Sequence, residues 1–154
     1  MGMDIYGNSD AYFRANLWSW RPIHLLCDVA IQQYNLDMNT DGWSYNDGCG
    51  LDTQDECDAL AGKLELLLID NGWANVADEE RVYLCLGMWC TQEGGFVEEG
   101  VCNQLNEQFP EGTLLLGGII HTDGKMYEPS HSTSVGHLRE FIKFLRKCEG
   151  FKIY

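Results

Sequence analysis

The stretch from Thr53 to Gly72 specifies one helix from cap to stop, and it constrains the fold more than any other part of the chain. Thr53-Gln-Asp-Glu56 has the form of a capping box, in which the threonine hydroxyl accepts from the backbone N–H of Glu56 and the glutamate reaches back. Leu60, Leu64, Leu67 and Leu68 then recur at helical spacing on one face, and Asn71-Gly72 closes the helix. Such an apolar stripe needs a core to pack against. The chain has the means to build one: of 154 residues, 45% are hydrophobic and 12% aromatic, which rules out disorder. A chain of this length buries about 70% of its unfolded surface.

The remaining elements follow from periodicity and punctuation. The start, 1–7, reads as a short strand ending in a turn at Gly7-Asn8. An aromatic segment follows, with Tyr12, Phe13, Trp18 and Trp20. Pro22 sits where a helix can begin, and Ile23, Leu26, Cys27, Ala30, Ile31 and Tyr34 recur at helical spacing, predicting a helix over about 22–35. Residues 36–52 are loop-like. Asp78-Glu-Glu, with acids suited to a helix N-terminus, predicts a helix to about Cys90, and 96–109 another, ended by Pro110. The 113–120 stretch is apolar and β-favouring; Asp123-Gly124 predicts a hairpin turn, with 126–128 returning. Ser134 caps a last helix that buries Val135, Leu138, Phe141, Ile142 and Leu145 and ends at Gly150. The expected class is α+β, one domain over 1–154, with four or five helices and a small, mainly antiparallel sheet. No apolar run approaches the roughly 18 residues that span a bilayer, and no leader-like segment opens the chain, so a soluble cytoplasmic protein is expected.

Charge excludes whole classes of partner. Ten Lys and Arg against 24 Asp and Glu give −14 at pH 7, which argues against direct binding to nucleic acid or anionic membrane, since both need a basic face. Residues 139–154 hold five cations and two acids, a local +3, whereas the other 138 residues hold five cations and 22 acids, or −17. Between Asp37 and Asp58 there are seven acids (Asp37, Asp41, Asp47, Asp52, Asp55, Glu56, Asp58) and no base. They suit a protein partner with a basic surface, though acids also simply keep a chain in solution. The charge dipole suits head-to-tail pairing of subunits, or merely a cationic helix C-terminus.

Four blocks stand out: Met1-Gly-Met-Asp-Ile-Tyr-Gly7, Tyr12-Phe-Arg-Ala-Asn-Leu-Trp-Ser-Trp-Arg-Pro22, Asn46-Asp-Gly-Cys-Gly-Leu-Asp52, and His137-Leu-Arg-Glu-Phe-Ile-Lys-Phe-Leu-Arg146 with Gly150-Phe151 after it. In them the chain resembles a family of small bacterial and bacteriophage proteins. The blocks hold 37 of the 154 residues, about a quarter of the chain. Some relatives carry a C-x2-C-x-G-x-G insertion that is missing here, so a metal role based on it does not transfer. The resemblance implies a phage or mobile-element origin and brings no catalytic residues.

Four groups of residues carry candidate chemistry. Asp37, Asn39 and Asp41 with Gly42 reproduce the opening of a calcium loop, but the twelfth position is Gly48 where a bidentate Glu is wanted, and an Asx-turn loop is the better reading. In Asn46–Asp52, two glycines flank Cys49; acidic neighbours should raise that thiol's pKa and disfavour a nucleophile, so a tight structural loop is preferred. His121, Asp123, His131, Ser132 and His137 suggest hydrolytic or metal chemistry but lack a G-x-S-x-G or H-E-x-x-H context. Arg14, Trp18 and Arg21 stand in the aromatic block as a recognition platform or, preferably, as a core anchor with one arginine on a buried acid. Seven cysteines, expected reduced, cannot all pair, and a zinc site from Cys85, Cys90, Cys102 and His121 matches no structural spacing. No cofactor is therefore expected beyond these weak calcium and zinc candidates. The leading expectation is a small acidic non-enzymatic binding protein; the alternative is a metal- or small-ligand-binding protein, even an enzyme, using the 37–52 loop or the Cys/His groups.

Overall fold

Alternation over the first sixteen residues decides which side of the first sheet faces inward. The computed structural model describes residues 2–84, Glu107 and 132–154, with strand backbone at 114–116, 119–120 and 126–127. Strand β1 (Gly2–Gly7) and strand β2 (Tyr12–Asn16) form an antiparallel hairpin in which Met3 faces Ala15 and Ile5 faces Phe13. Those four side chains are buried, and Asp4, Tyr6, Tyr12 and Arg14 take the opposite face.

On the other edge of β1 lies β8 (Phe151–Ile153), a strand absent from the sequence expectations, so the sheet runs β2-β1-β8. The segment 48–51 continues it beyond β8: Gly48 donates to Ile153 at 2.8 Å, Ile153 to Cys49 at 2.9 Å and Phe151 to Leu51 at 2.8 Å.

Three helices stand among the described residues, fewer than the four or five expected. Helix α1 (Leu17–Gln33) begins five residues before Pro22, because Asn16 caps it by accepting from Ser19 N–H at 2.9 Å. Pro22 therefore lies inside the helix rather than at its start, with its ring buried. Helix α2 (Gln54–Asp70) follows the expected design: Thr53 accepts from Glu56 N–H at 3.2 Å, and its hydroxyl also lies 3.0 Å from the Glu56 carboxylate. Its end is a Schellman turn, with Gly72 at φ +74°, Gly72 N–H on Ile69 and Trp73 N–H on Leu68. Helix α3 (Val135–Leu145) is capped by Ser134, which accepts from His137 N–H at 3.0 Å. It ends at Leu145, short of Gly150, which instead shapes the turn into β8 at φ +96°.

The helix expected from Asp78 to Cys90 is contradicted where it is described. Arg81–Leu84 form strand β3, paired antiparallel with β4 (Leu114–Leu116) and β7 (Thr133–Ser134). The acids that suggested a helix N-terminus lie in the turn before the strand, and Val82-Tyr83-Leu84 has the composition of a strand. The 113–120 stretch yields two strands rather than one, β4 and then β5 (Ile119–Ile120), which pairs with β6 (Met126–Tyr127) as the expected hairpin requires. Of the helix expected over 96–109 only Glu107 is described, and it is helical; the rest of that segment and the turn at Asp123-Gly124 lie outside the described residues. The fold is α+β, with every strand pair among the described residues antiparallel.

Sheet and helices close on one aromatic core. Phe141 of α3 lies 5.2 Å from Phe13 and 5.5 Å, edge-on, from Trp20, while Trp43 meets Phe151 at 5.2 Å. Around this core Arg139 ties down the 73–78 loop, reaching Val76 O at 2.7 Å, Ala74 O at 3.2 Å and Asp78 Oδ1 at 2.6 Å. Replacing Arg139 with Ala leaves those carbonyls without their donor, and we expect a loss of about 1.5–3 kcal/mol in urea unfolding. A change within 0.5 kcal/mol would mean that water replaces the guanidinium at no cost. Among the described residues no helix is long and apolar enough to cross a membrane.

Candidate functional site

The loop after α1 is held against that helix by one histidine. His24 presents both ring nitrogens to it: Nδ1 lies 3.1 Å from Ser44 Oγ and Nε2 3.0 Å from Thr40 Oγ1. Thr40 in turn donates its hydroxyl proton to Asp28 Oδ1, one helical turn beyond His24. A threonine has a single proton to give, so its remaining lone pairs must accept the Nε2–H of His24, and Nδ1 is left to accept from Ser44. The network thus assigns the tautomer: hydroxyl to imidazole to hydroxyl to carboxylate, with every donor pointing the same way. The imidazole is 13% exposed, and burial lowers its pKa against the opposing pull of the Asp28 carboxylate. Beside it a cleft of about 340 Å³ is lined by Leu17, Trp20, Arg21, His24, Leu25 and Ser44. Below it Trp43 is fully buried, its carbonyl receiving the indole N–H of Trp20 at 2.7 Å.

The calcium reading of the same loop gains no support. Asn39 Oδ1 accepts from Asp41 N–H at 2.7 Å, the Asx turn preferred from the sequence, and so turns inward upon its own backbone. Among the described residues no three His, Cys, Asp or Glu side chains gather as a metal ion requires. The 46–52 loop is tied into the fold, since 48–51 runs along β8 and Asn46 donates to Gly2 O at 3.2 Å. Cys49 is held above the ordinary thiol range, first by its hydrogen bond to Asp47, which agrees with the expectation that its neighbours disfavour the thiolate.

The seven acids separate into two groups. Asp37, Asp41, Asp47, Asp52 and Asp55 are exposed and have no salt bridge among the described residues. Glu56 turns to Thr53, and Asp58 takes Gln54 at 2.8 Å and Arg146 at 3.9 Å. Arg146 also reaches Glu65 at 3.1 Å, and Arg139 takes Asp78. Two of the five cations in 139–154 are therefore bound to acids of the same molecule, which weakens the case for head-to-tail pairing.

No family model, curated protein or solved structure matches the chain. Function must be read from the residues themselves.

The aromatic block is split by the fold. Phe13 and Trp20 enter the core, as preferred, whereas Tyr12 and Trp18 are exposed. Arg14 does not meet a buried acid: it lies 3.6 Å from Asp4 on the open face of the sheet, where Tyr12 also donates to Asp4. Arg21 lines the His24 cleft. Tyr6, with Tyr12 at 5.2 Å and Tyr154 at 6.2 Å between ring centres, completes an exposed tyrosine cluster.

Of the His/Ser/Asp group, His137 stacks on Phe13 at 4.9 Å and places Nε2 3.3 Å from Arg14 O, while Ser132 is held by Arg81 at 2.7 Å. Each is held by another partner. His121, Asp123 and His131 lie outside the described residues, as do Cys85, Cys90 and Cys102 of the zinc candidate. Cys27, Cys49, Cys57 and Cys148 are free thiols. The buried pair Cys57 and Cys148, 91 positions apart, lies sulfur to sulfur at 3.5 Å.

Sequence reasoning missed the His24 network. Its visible half was His24-x3-Asp28, an i, i+4 pair on one helix face. Thr40 and Ser44 join it only through the path of the loop.

Proposed function

We propose that this chain is a small acidic binding protein that engages a basic surface on a protein partner in the bacterial cytoplasm. The observation that carries the reading is the set of five exposed acids from Asp37 to Asp55 that have no salt bridge among the described residues. Four of them stand on a loop fixed by His24 at one end and by β8 at the other, and Asp55 follows in the first turn of α2. A fixed array of like charge attracts a cationic surface without a large ordering cost. One concrete form is occupation of the phosphate-binding groove of a nucleic-acid-handling or defence complex, inhibiting it. The phage or mobile-element origin rests on the resemblance of the blocks at 1–7, 12–22, 46–52 and 137–146.

Affinity capture from bacterial lysate tests this reading, beside the variant D37N/D41N/D52N/D55N. The retained partner should be lost between about 0.1 and 0.5 M NaCl, where the screening length falls below roughly 5 Å. Double-stranded DNA should displace it, and the variant should not retain it. Retention that ignores salt and the four substitutions would sink the reading.

A further inference from the structure

We propose that Ser44 is a nucleophile for acyl transfer, with His24 as its general base and Thr40 and Asp28 as positioning residues that hold the base. This goes beyond the binding role, and its chemistry is separate from the acidic array. Three observations carry it. Ser44 is exposed, and its Oγ stands 3.1 Å from an imidazole nitrogen whose partner network leaves it only as an acceptor. The other nitrogen is oriented through Thr40 by a carboxylate, whose nearer approach to Nε2 is 3.6 Å. Finally, the pair opens on a cleft with apolar walls, Leu17, Trp20 and Leu25, and one cation, Arg21. Nucleophile, base and orienter in hydrogen-bond reach beside a cleft are the geometric requirements of a hydroxyl nucleophile. A clip serving only to hold the loop would not need its hydroxyl at the mouth of a cleft.

The substrate class that fits is a small carboxylic ester, its apolar part against Leu17 and Leu25 and its developing negative charge toward Arg21. Ser44 Oγ bonds to the carbonyl carbon as its proton passes to His24 Nδ1. The bond to the leaving alcohol oxygen then breaks, and that oxygen takes the proton from His24. Water attacks the acyl-Ser44 ester by the same route, giving a carboxylic acid and restoring the hydroxyl.

A fluorophosphonate probe tests the site directly. Ser44 Oγ would form the bond to phosphorus, fluoride would leave, and the proton would go to His24. We expect one adduct per chain by intact mass, mapped to the Ser44 peptide and lost in Ser44→Ala. His24→Gln should slow labelling about 100-fold or more, with the near-ultraviolet circular dichroism unchanged. The charged groups acting on His24 are Asp28 and Arg21, both on α1, while the loop presents Thr40, Trp43 and Ser44 to it. Labelling requires the neutral imidazole and so rises with pH through its pKa. Asp28→Asn removes the charge that raises that pKa, and the midpoint should move down. No adduct at Ser44, or equal labelling of Ser44→Ala, overturns the proposal. Should His24→Gln fail to fold, the parent against Ser44→Ala still decides; an unmoved midpoint in Asp28→Asn overturns the part assigned to Asp28.

Discussion

Gly50→Ala brings the protein to the edge of unfolding. A β-carbon at that position would stand 1.9 Å from Phe151 O and 2.7 Å from Phe151 C, both backbone atoms of β8. No rotamer change relieves a clash with backbone, so either the 48–51 segment or β8 must move away. Each is bonded to the other at 2.8–2.9 Å, and Phe151 sits fully buried against Trp43, Phe141 and Phe144. Separation would therefore break the sheet edge and open the aromatic core together. We expect a loss of about 4 kcal/mol or more, the range reached only by strain or cavities at the core. Urea unfolding measures it. Gly72→Ala is the internal control: nothing lies within 4 Å of its β-carbon, and only the positive φ of +74° resists the change. That substitution should cost about 1–2 kcal/mol. Equal costs at the two positions would show that the Phe151 contact yields freely.

Trp20→Ala is the second large effect. Trp20 is 1% exposed, packs edge-on against Phe141 and gives its indole proton to the Trp43 carbonyl. Its removal leaves a cavity between α1 and α3 and a buried carbonyl that has lost this donor, for an expected loss of about 3–5 kcal/mol. Trp20→Phe separates the two contributions. It keeps most of the ring volume and removes only the N–H, and should cost about 1–3 kcal/mol. If the phenylalanine variant were as unstable as the alanine variant, the hydrogen bond rather than the packing would dominate.

The elements legible in the sequence are those whose causes are local. Thr53, Ser134 and the leucine stripe of α2 each act within a turn or two of the chain, and the structure bears out each of them. The misplaced boundaries arise where a second local signal competes. Pro22 suits a helix start, but Asn16 offers a cap one and a half turns earlier. Acids at 78–80 suit a helix start as well, yet strands β4 and β7 take up the backbone that follows. What was illegible depends on distant partners. Phe151-Lys-Ile153 is too short to read as a strand until β1 lies beside it. The candidate site behaves alike: the Asx turn at Asn39 was legible, whereas the His24–Ser44 contact exists only once the loop has folded over α1.

Pairing of β1 with β8 also imposes a schedule on the molecule as it is made. Ile5 is made 148 positions before its partner Ile153. At ordinary elongation rates of 5–20 residues per second the wait is roughly 7–30 s. Throughout it the β1–β2 hairpin has one edge unsatisfied and Met3, Ile5 and Phe13 without their cover. The nascent hairpin is thus the natural client for a chaperone until β8 arrives to close the sheet.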